Sequence, residues 1–333
     1  MISKELVAAC YRALLGREPE NDAVVAEKIA RLPDPEALLR EFLDSEEYGQ
    51  KLQFLMDQYG ALGSDAQFAP RPIEPQTIDV CVDQDDLSYL FSRTKEQWTK
   101  LGDTEPFWSV LTFPRYKSAN MDAGDRDAFF QSGADLAKLV ETFEQRNADS
   151  LPKKICLELG CGVGRVTRHS AKRFERVIAV DISAPHLQQC RSALSEAGVD
   201  NVDYLLLRSP SDIATLPEFD FFFSTIALQH NTPPVQRFIL DQVFLRLPPG
   251  GGVLFQAVAW LPHYSFDMQT YRTQGGGDMD MHCLPMRAIF DIARMRGVSL
   301  REIVMDGQTR LYGSYTYFAV KPPLDQAAAY VSP

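Results

Sequence analysis

The 333-residue sequence is poor in the features that mark membrane, secreted and nucleic-acid-binding proteins. It has no secretory signal and no run of about 18 apolar residues, so we expect a cytoplasmic protein without a membrane span. Its six cysteines have neither paired nor metal-ligand spacing, which argues against a disulfide framework and a zinc site. Since 34 Lys and Arg face 45 Asp and Glu, the formal net charge is −11. That balance argues against nucleic acid as a partner, because phosphate binding calls for a basic surface.

A strand, a glycine turn, a helix and a second strand follow one another in the middle of the chain. The apolar run Ile155–Leu159 predicts a buried strand, Gly160–Gly164 a tight turn and Arg165–Phe174 a helix. A second apolar run, Val177–Val180, leads directly to Asp181. This order is typical of half a doubly wound sheet, whose ligand site lies at the carboxyl ends of the strands. Glycines let a ligand approach the backbone, and an acid in this place can accept both hydroxyls of a ribose.

The spacing of the glycines favours one kind of nucleotide site over another. The turn reads G-x-G-x-G, and Arg165 stands where the dinucleotide fingerprint has its last glycine. An acid, Glu158, also lies inside the preceding strand, and the turn contains no lysine for a phosphate. The segment Glu158–Gly164 resembles the first motif of the class I methyltransferases that use S-adenosylmethionine, and Asp181 resembles their ribose-binding acid. The alternative is an α/β domain that binds no nucleotide.

The resemblance implies a cofactor site for S-adenosyl-L-methionine. The cofactor carries an ammonium and a sulfonium, which suit backbone carbonyls and a carboxylate. The residues that the resemblance assigns to cofactor binding are Glu158, Gly160, Cys161, Gly162, Gly164, Arg165, Asp181, Ile182, Thr225 and Ile226.

The rest of the predicted sheet lies downstream of these motifs. Apolar runs predict further strands at 202–207, 219–225, 253–259, 300–305 and 314–320, and helices at 235–247 and 285–296. The connection between the last two strands is short enough to make them antiparallel. Leu247–Gly252 also resembles the family's turn before the fifth strand, and the resemblance extends over about Pro152–Lys321. We therefore expect an α/β fold: the Rossmann-like, seven-stranded class I methyltransferase sheet with an N-terminal helical domain.

The sequence before this sheet predicts separate units. We assign residues 1–60 to a helical accessory domain, 61–80 to a proline-rich linker, 81–150 to a helical lead-in or lid, and 151–322 to the methyltransferase domain. Tyr11–Pro19 and Phe42–Tyr48 partly resemble a small bacterial domain of unknown function. These helices either contact a partner or a second copy of the chain, or they form a helical appendage without a docking role. The lead-in resembles that of bacterial methyltransferases that modify glycans and lipids. It contains a predicted amphipathic helix, 128–143.

The acceptor site is predicted at the ends of the fourth and fifth strands. His230 is the candidate catalytic base, because a histidine can take a hydroxyl proton near neutral pH; the alternative is a histidine that only starts a helix. Candidate substrate residues are Trp108, Gln229, His263 and Tyr264. Trp108 is either a cover over the cofactor or a tryptophan packed among helices. His230, His263 and His282 match no ligand spacing, so no metal site is predicted.

The sequence thus predicts an S-adenosylmethionine-dependent methyltransferase that makes an O-methyl ether on a glycan or a small hydroxylated metabolite. Alternative acceptors are an amine, a lipid or a protein side chain. From another class, the chain is a catalytically silent regulatory or scaffold protein that binds the cofactor. An NAD-dependent oxidoreductase is the poorest match, because the glycine spacing differs.

Overall fold

The chain divides into two compact units, residues 1–74 and 75–333. The computed structural model describes residues 2–15, 17–49, 76–147, 151–277, 279–307 and 313–323. Within these ranges, no helix is both long and apolar enough to cross a membrane. Most of the predicted linker, 61–75, lies outside the described residues.

The described part of the first unit, residues 2–15 and 17–49, contains three α-helices around an apolar core. The helices are α1 (Lys4–Cys10), which continues into a π-helical turn at Tyr11–Leu15, α2 (Asp22–Arg31) and α3 (Pro35–Leu43). Each begins at a side chain that accepts a hydrogen bond from the backbone of its first turn, as helix N-caps do; these caps are Ser3, Asn21 and Asp34. The buried apolar side chains are Ile2, Val7, Tyr11, Val25, Leu38 and Phe42.

The second unit is built on one seven-stranded sheet with the order β3-β2-β1-β4-β5-β7-β6. The first five strands in this order run parallel, while β7 is antiparallel to both β5 and β6. This confirms the predicted α/β class and the closing antiparallel pair. The strands are β1 (Ile155–Leu159), β2 (Arg176–Asp181), β3 (Val202–Leu206), β4 (Phe221–Ser224), β5 (Gly252–Val258), β6 (Ser299–Met305) and β7 (Ser314–Val320).

Helices cover both faces of the sheet. Because neighbouring residues of a strand point to opposite faces, Leu157 and Phe222 belong to one buried cluster and Cys156 and Phe221 to the other. The helices are α4 (Gln84–Thr104), α5 (Ala123–Gln131), α6 (Ala134–Asn147), α7 (Thr167–Ser170), α8 (Ala184–Glu196), α9 (Pro210–Ala214), α10 (Pro233–Arg246), α11 (Met268–Gln274) and α12 (Met286–Met295), with 3₁₀ turns at Pro114–Tyr116 and Leu228–His230.

The single helix predicted over 128–143 is wrong, because the chain forms two helices there, α5 and α6. They are separated at Ser132 and Gly133. A Cβ atom on Gly133 would lie 2.0 Å from the carbonyl oxygen of Arg165. The helix is therefore interrupted where its backbone meets the residue that follows the glycine turn, a contact that periodicity cannot reveal.

The helix predicted over 165–174 is shorter than expected, because only Thr167–Ser170 is α-helical. Lys172 and Arg173 donate to the carbonyls three residues before them, which is the tighter 3₁₀ pattern.

Residues 76–80 belong to the second unit, although the linker was predicted to extend to residue 80. Ile78 forms a parallel bridge with Phe266, and Asp79 accepts a hydrogen bond from the amide of Met268 at 2.9 Å. These contacts attach the start of the lead-in to the segment after β5.

Candidate functional site

The glycine turn after β1 is a crowded piece of backbone. Gly160 and Gly162 have φ values of 75° and 53°, in the left-handed region that favours glycine. A Cβ atom on Gly160 would lie 2.2 Å from that of Ala227, and one on Gly162 would lie 2.8 Å from Val110. The amides of Gly160 and Cys161 both donate to the carbonyl oxygen of Val180. The turn is therefore held between β2, the segment after β4 and the lead-in.

Asp181 lies at the carboxyl end of β2 and is connected to the turn. One carboxylate oxygen accepts from the amide of Gly162 at 2.9 Å, and the other accepts from the amide of Ser183 at 2.8 Å. Only 8% of the residue is exposed. Each carboxylate oxygen has a second lone pair, so Asp181 can accept two further hydrogen bonds in a fixed orientation.

Glu158 is buried in β1, with 3% of its surface exposed. Its Oε2 has no hydrogen-bond partner among the described residues. Burial raises the pKa of this carboxyl to about 8, although the nearby Arg165 guanidinium opposes the shift. A buried carboxyl with one unpaired oxygen beside the turn favours a cationic or hydrogen-bond-donating ligand group.

Two further predicted cofactor residues have contacts within the protein. Arg165 is buried, and its Nη1 donates to the carbonyl and hydroxyl oxygens of Ser132 at 3.2 and 3.3 Å. Cys161 is also buried, which raises the pKa of its thiol. These contacts connect the turn to the break between α5 and α6, and the roles of both residues in cofactor binding stay predictions.

The segment after β4 contains a strained residue. Ile226 has a φ of 54°, which is unusual for a β-branched side chain. Its amide donates to Oε1 of the fully buried Gln256 at 2.9 Å, and Nε2 of Gln256 donates to Ser314 at 2.8 Å. Hydrogen bonds from β5 and β7 therefore hold this conformation, and strain of this kind is commonly found at functional sites. The neighbouring Thr225 is half-buried, as is Ile182 after β2.

His230 is half-buried in the 3₁₀ turn that follows. Its Nδ1 lies 3.1 Å from the carbonyl oxygen of Asp280. Since a carbonyl can only accept, Nδ1 carries the proton and Nε2 presents a lone pair in the neutral ring. Burial lowers the pKa of His230 to about 4, against the opposing effect of the Asp280 carbonyl. Gln229 is buried beside it, and its Nε2 is 3.5 Å from Nε2 of His230.

The segment after β5 contributes Tyr264 and His282. The Tyr264 hydroxyl is 2.8 Å from Nδ1 of His282, whose amide donates to the carbonyl of Gln229 at 2.7 Å. Burial lowers the pKa of His282 to about 4 and raises that of Tyr264. His263, in contrast, is exposed and has a φ of 54°. The structure thus brings Tyr264, but not the side chain of His263, to the Gln229–His230 turn.

Trp98, which was not among the predicted site residues, lies at this turn. Its ring centroid is 5.0 Å from that of His230 and 6.1 Å from that of His186. Trp108, the second tryptophan of the lead-in, is half-buried and packs against Lys117, with Nζ 5.3 Å from the ring centroid. The sequence signal for Trp98 was its place four residues, about one helical turn, before Gly102. In the structure, a Cβ atom added to Gly102 would lie 2.6 Å from His186.

His186 is a second residue that the sequence analysis missed. It is buried at the start of α8, where Nδ1 lies 2.8 Å from the hydroxyl of Ser183 and Nε2 lies 2.8 Å from that of Ser109. Burial lowers its pKa, although Asp181 opposes this. His186 therefore connects the lead-in, through Ser109, to the residues around Asp181.

No group of three or more His, Cys, Asp or Glu side chains is placed to hold a metal ion in the described ranges. His230 and His282 are instead engaged with the Asp280 carbonyl and the Tyr264 hydroxyl.

Comparisons with known proteins agree with this fold and turn. Residues 156–251 match the model of a family described as a methyltransferase domain. A segment of 139 residues is 31% identical to the malonyl-[acyl-carrier protein] O-methyltransferase of Salmonella typhimurium, covering 38% of this chain and 51% of that protein. A segment of 135 residues is 25% identical to the ubiquinone biosynthesis O-methyltransferase of Stutzerimonas stutzeri, covering 40% and 56%. The match thus spans about half the length of these relatives.

Among solved structures, a similar chain is the magnesium protoporphyrin IX methyltransferase of Synechocystis. It has a TM-score of 0.48 and 15% sequence identity, with 70% of this chain and 99% of that chain covered.

Proposed function

We propose that this chain, which carries a class I S-adenosylmethionine-dependent methyltransferase domain, transfers a methyl group to a hydroxyl oxygen of a glycan or a small hydroxylated metabolite. The observation that carries the proposal is the fixed ring of His230, whose Nδ1 is held by the Asp280 carbonyl. An O-methyl transfer requires that a hydroxyl proton be removed, and an oriented Nε2 lone pair supplies an acceptor for it.

The residues at the glycine turn fit the cofactor. The unpaired Oε2 of Glu158 suits the ammonium end of S-adenosylmethionine, and the open lone pairs of Asp181 suit its ribose hydroxyls. The left-handed glycines allow close approach to the backbone between these two acids. When bound, the cofactor supplies an electrophilic methyl group on a sulfonium sulfur.

His230 would act from its neutral form. Its lowered pKa leaves Nε2 unprotonated at neutral pH, so no proton has to be removed from the imidazole before the hydroxyl binds. The same shift makes the ring a weaker base. Proton transfer to Nε2 is therefore expected to accompany transfer of the methyl group.

The lead-in would exclude water from the reacting groups. Trp98 lies against His230, and Val110 lies over Gly162. Methyl transfer is favoured in a dry and well-aligned site, since alignment and desolvation are the main contributions that a protein can make to it. We therefore assign the role of the cover to Trp98 rather than to Trp108.

The alternatives differ from this proposal in what they bind and release. A catalytically silent protein would bind S-adenosylmethionine but would never form its demethylated product. An enzyme for amines, lipids or protein side chains would form that product only with those acceptors. The two similar O-methyltransferases, of malonyl-[acyl-carrier protein] and in ubiquinone biosynthesis, support transfer to oxygen.

The test is a titration of the full chain with S-adenosylmethionine, followed by a screen for formation of the demethylated cofactor. Acceptors are offered as matched pairs that differ only in a hydroxyl or an amine at the same position. We expect cofactor binding and turnover with hydroxylated acceptors. Turnover with amines alone would contradict O-methylation, and binding without turnover on any acceptor would favour the silent protein.

We also propose that the first unit recruits a partner or forms a dimer contact. Its apolar core is separate from the two clusters that cover the sheet. Among its described residues, the large apolar side chains Ile29, Leu39 and Leu43 are exposed. Chromatography with light scattering on the full chain would detect a dimer.

A further inference from the structure

Arg93 is a half-buried cation whose contacts are all neutral. It lies on α4, and its Nη1 donates to the Tyr89 hydroxyl at 3.3 Å. The rings of Tyr89 and Tyr271 flank the guanidinium, with centroids 5.9 and 5.5 Å from its central carbon. Its Nε is buried without a hydrogen-bond partner, and no described carboxylate lies within ion-pair distance. The half-exposed guanidinium therefore keeps N–H donors from which an external oxyanion could accept.

Several other arginines of this unit do have carboxylate partners, whereas the buried Arg165 donates to the neutral Ser132. Arg173 pairs with Glu144, and Arg296 forms two hydrogen bonds of 2.8 Å with Asp241. Arg272 is the most informative comparison, because it also lies over the Tyr89 ring and yet pairs with Asp86. Among the described residues, Arg93 therefore differs from its neighbour in having no carboxylate partner, not in its aromatic surroundings.

The position of Arg93 relates it to the proposed base. Trp98, five residues further along α4, contacts the His230 ring, and five helical residues rise by about 7.5 Å. Between them, Gln97 donates to the carbonyl of Gly277 at 2.9 Å. A Cβ atom on Gly275 would lie 2.9 Å from Nη2 of Arg93.

The same short segment therefore contacts both groups, since the carbonyl that holds His230 belongs to Asp280. Gly275 lies at one end of the segment, against Arg93, and Asp280 lies at the other end. An acceptor whose hydroxyl lies at Nε2 of His230 would have to extend along this segment to reach Arg93.

We propose that Arg93 binds an oxyanion of the methyl acceptor, so that the acceptor is a hydroxylated acid bearing a carboxylate or a phosphate. The proposal rests on the proposed methyl transfer for the position of the hydroxyl. The guanidinium can offer two parallel N–H donors to either oxyanion, and the flanking tyrosine rings provide apolar contact for the carbon skeleton.

The experiment is calorimetric titration of the full chain loaded with S-adenosylhomocysteine. The probes are 4-hydroxybenzoate, 4-hydroxyphenyl phosphate and the neutral 4-hydroxybenzamide. We expect at least one anion to bind about 10- to 100-fold more tightly than the amide, as for charge-assisted hydrogen bonds. The ratio between the two anions identifies which oxyanion the site takes.

Three variants separate a ligand contact from a structural role. Arg93→Met should abolish the preference for the anion while leaving S-adenosylhomocysteine affinity unchanged. Arg93→Lys keeps the positive charge but loses the paired N–H donors of the guanidinium. It should retain a weakened preference for the anion, and it tests the proposal even if Arg93→Met does not fold. Arg272→Met is the matched control, because it removes a neighbouring cation that already has a partner, and it should keep the preference.

Two results would overturn the proposal: anions that bind no more tightly than the amide, or an Arg93→Met variant that keeps the preference. Failure to bind S-adenosylhomocysteine would instead count against the methyltransferase function. The same titrations on the unloaded chain would then still test the oxyanion site.

Discussion

The indole of Trp98 and the imidazole of His230 meet edge to face, with ring centroids 5.0 Å apart and planes at 60°. Trp98 comes from the lead-in, and His230 follows β4. Their contact connects the segment that precedes the sheet to the edge where parallel strands end, and ligands of doubly wound sheets bind at that edge. The contact therefore packs an aromatic ring of the lead-in against the proposed base.

Replacing His230 by Ala should slow methyl transfer by roughly 10²–10⁴, because the acceptor for the hydroxyl proton is lost. Cofactor affinity should stay near that of the wild type, since no residue of the glycine turn is altered. Single-turnover formation of the demethylated cofactor measures the rate. His263→Ala, at an exposed histidine, is the control. If the His230→Ala enzyme keeps the full rate, His230 has only a structural role.

The pH dependence of that rate should reflect the lowered pKa of His230. A base with a pKa of about 4 is already neutral at pH 6, so the rate should not fall between pH 7.5 and 6 through this group. It should fall as the pH approaches 4, where Nε2 becomes protonated. A midpoint near 6.5 would show that the ring is as accessible to water as a free histidine.

Replacing Asp181 by Ala should weaken cofactor binding by about 1.5–3 kcal/mol, the scale of hydrogen bonds to a charged group. The variant also frees the amides of Gly162 and Ser183, whereas Asp181→Asn keeps an oxygen acceptor for one of the two and serves as the intermediate comparison. Calorimetry measures both affinities. If Asp181→Ala has an unchanged affinity for the cofactor, Asp181 does not contribute to cofactor binding.

Cofactor binding near neutral pH should release a proton from Glu158. With a pKa of about 8 the buried carboxyl is mostly protonated at pH 7, and an ammonium placed beside it would favour the ionised form. Titrations at pH 7 in buffers of different ionisation enthalpy measure the number of protons released. Glu158→Gln should lower that number; the same release in both proteins would argue against an ammonium at this carboxyl.

Replacing Gln256 by Leu should lower the free energy of unfolding by about 1–3 kcal/mol, since it leaves the amide of Ile226 without its acceptor. Turnover should fall as well, because Ile226 would be free to leave its strained conformation ahead of His230. Urea denaturation measures the stability. Gln145→Leu, an exposed position, is the control, and equal effects at both positions would show that the Gln256 bond contributes little.

A chain without residues 1–74 should remain folded and bind S-adenosylmethionine, because the second unit has its own cores and includes the lead-in from residue 76 onwards. Circular dichroism and calorimetry would test this. Loss of folding or of cofactor binding would show that the first helices are needed by the catalytic unit.

The sequence by itself determined the order of the seven strands and the acid–glycine–acid pattern of the turn. Both depend on local properties: apolar runs the length of a strand, glycines at left-handed positions, and Asp181 directly after β2. The strand β7 was predicted with its observed bounds, Ser314–Val320, for the same reason.

Only the tertiary structure decided which distant side chains meet. Periodicity could not distinguish Trp98 from Trp108, because both lie in the lead-in, and the choice depends on how α4 packs against His186 and His230. The break at Gly133 depends on a contact with Arg165, and the tautomer of His230 on a carbonyl 50 residues away. The lowered pKa of His230 and the raised pKa of Glu158 likewise result from burial, which arises when separate segments exclude water together.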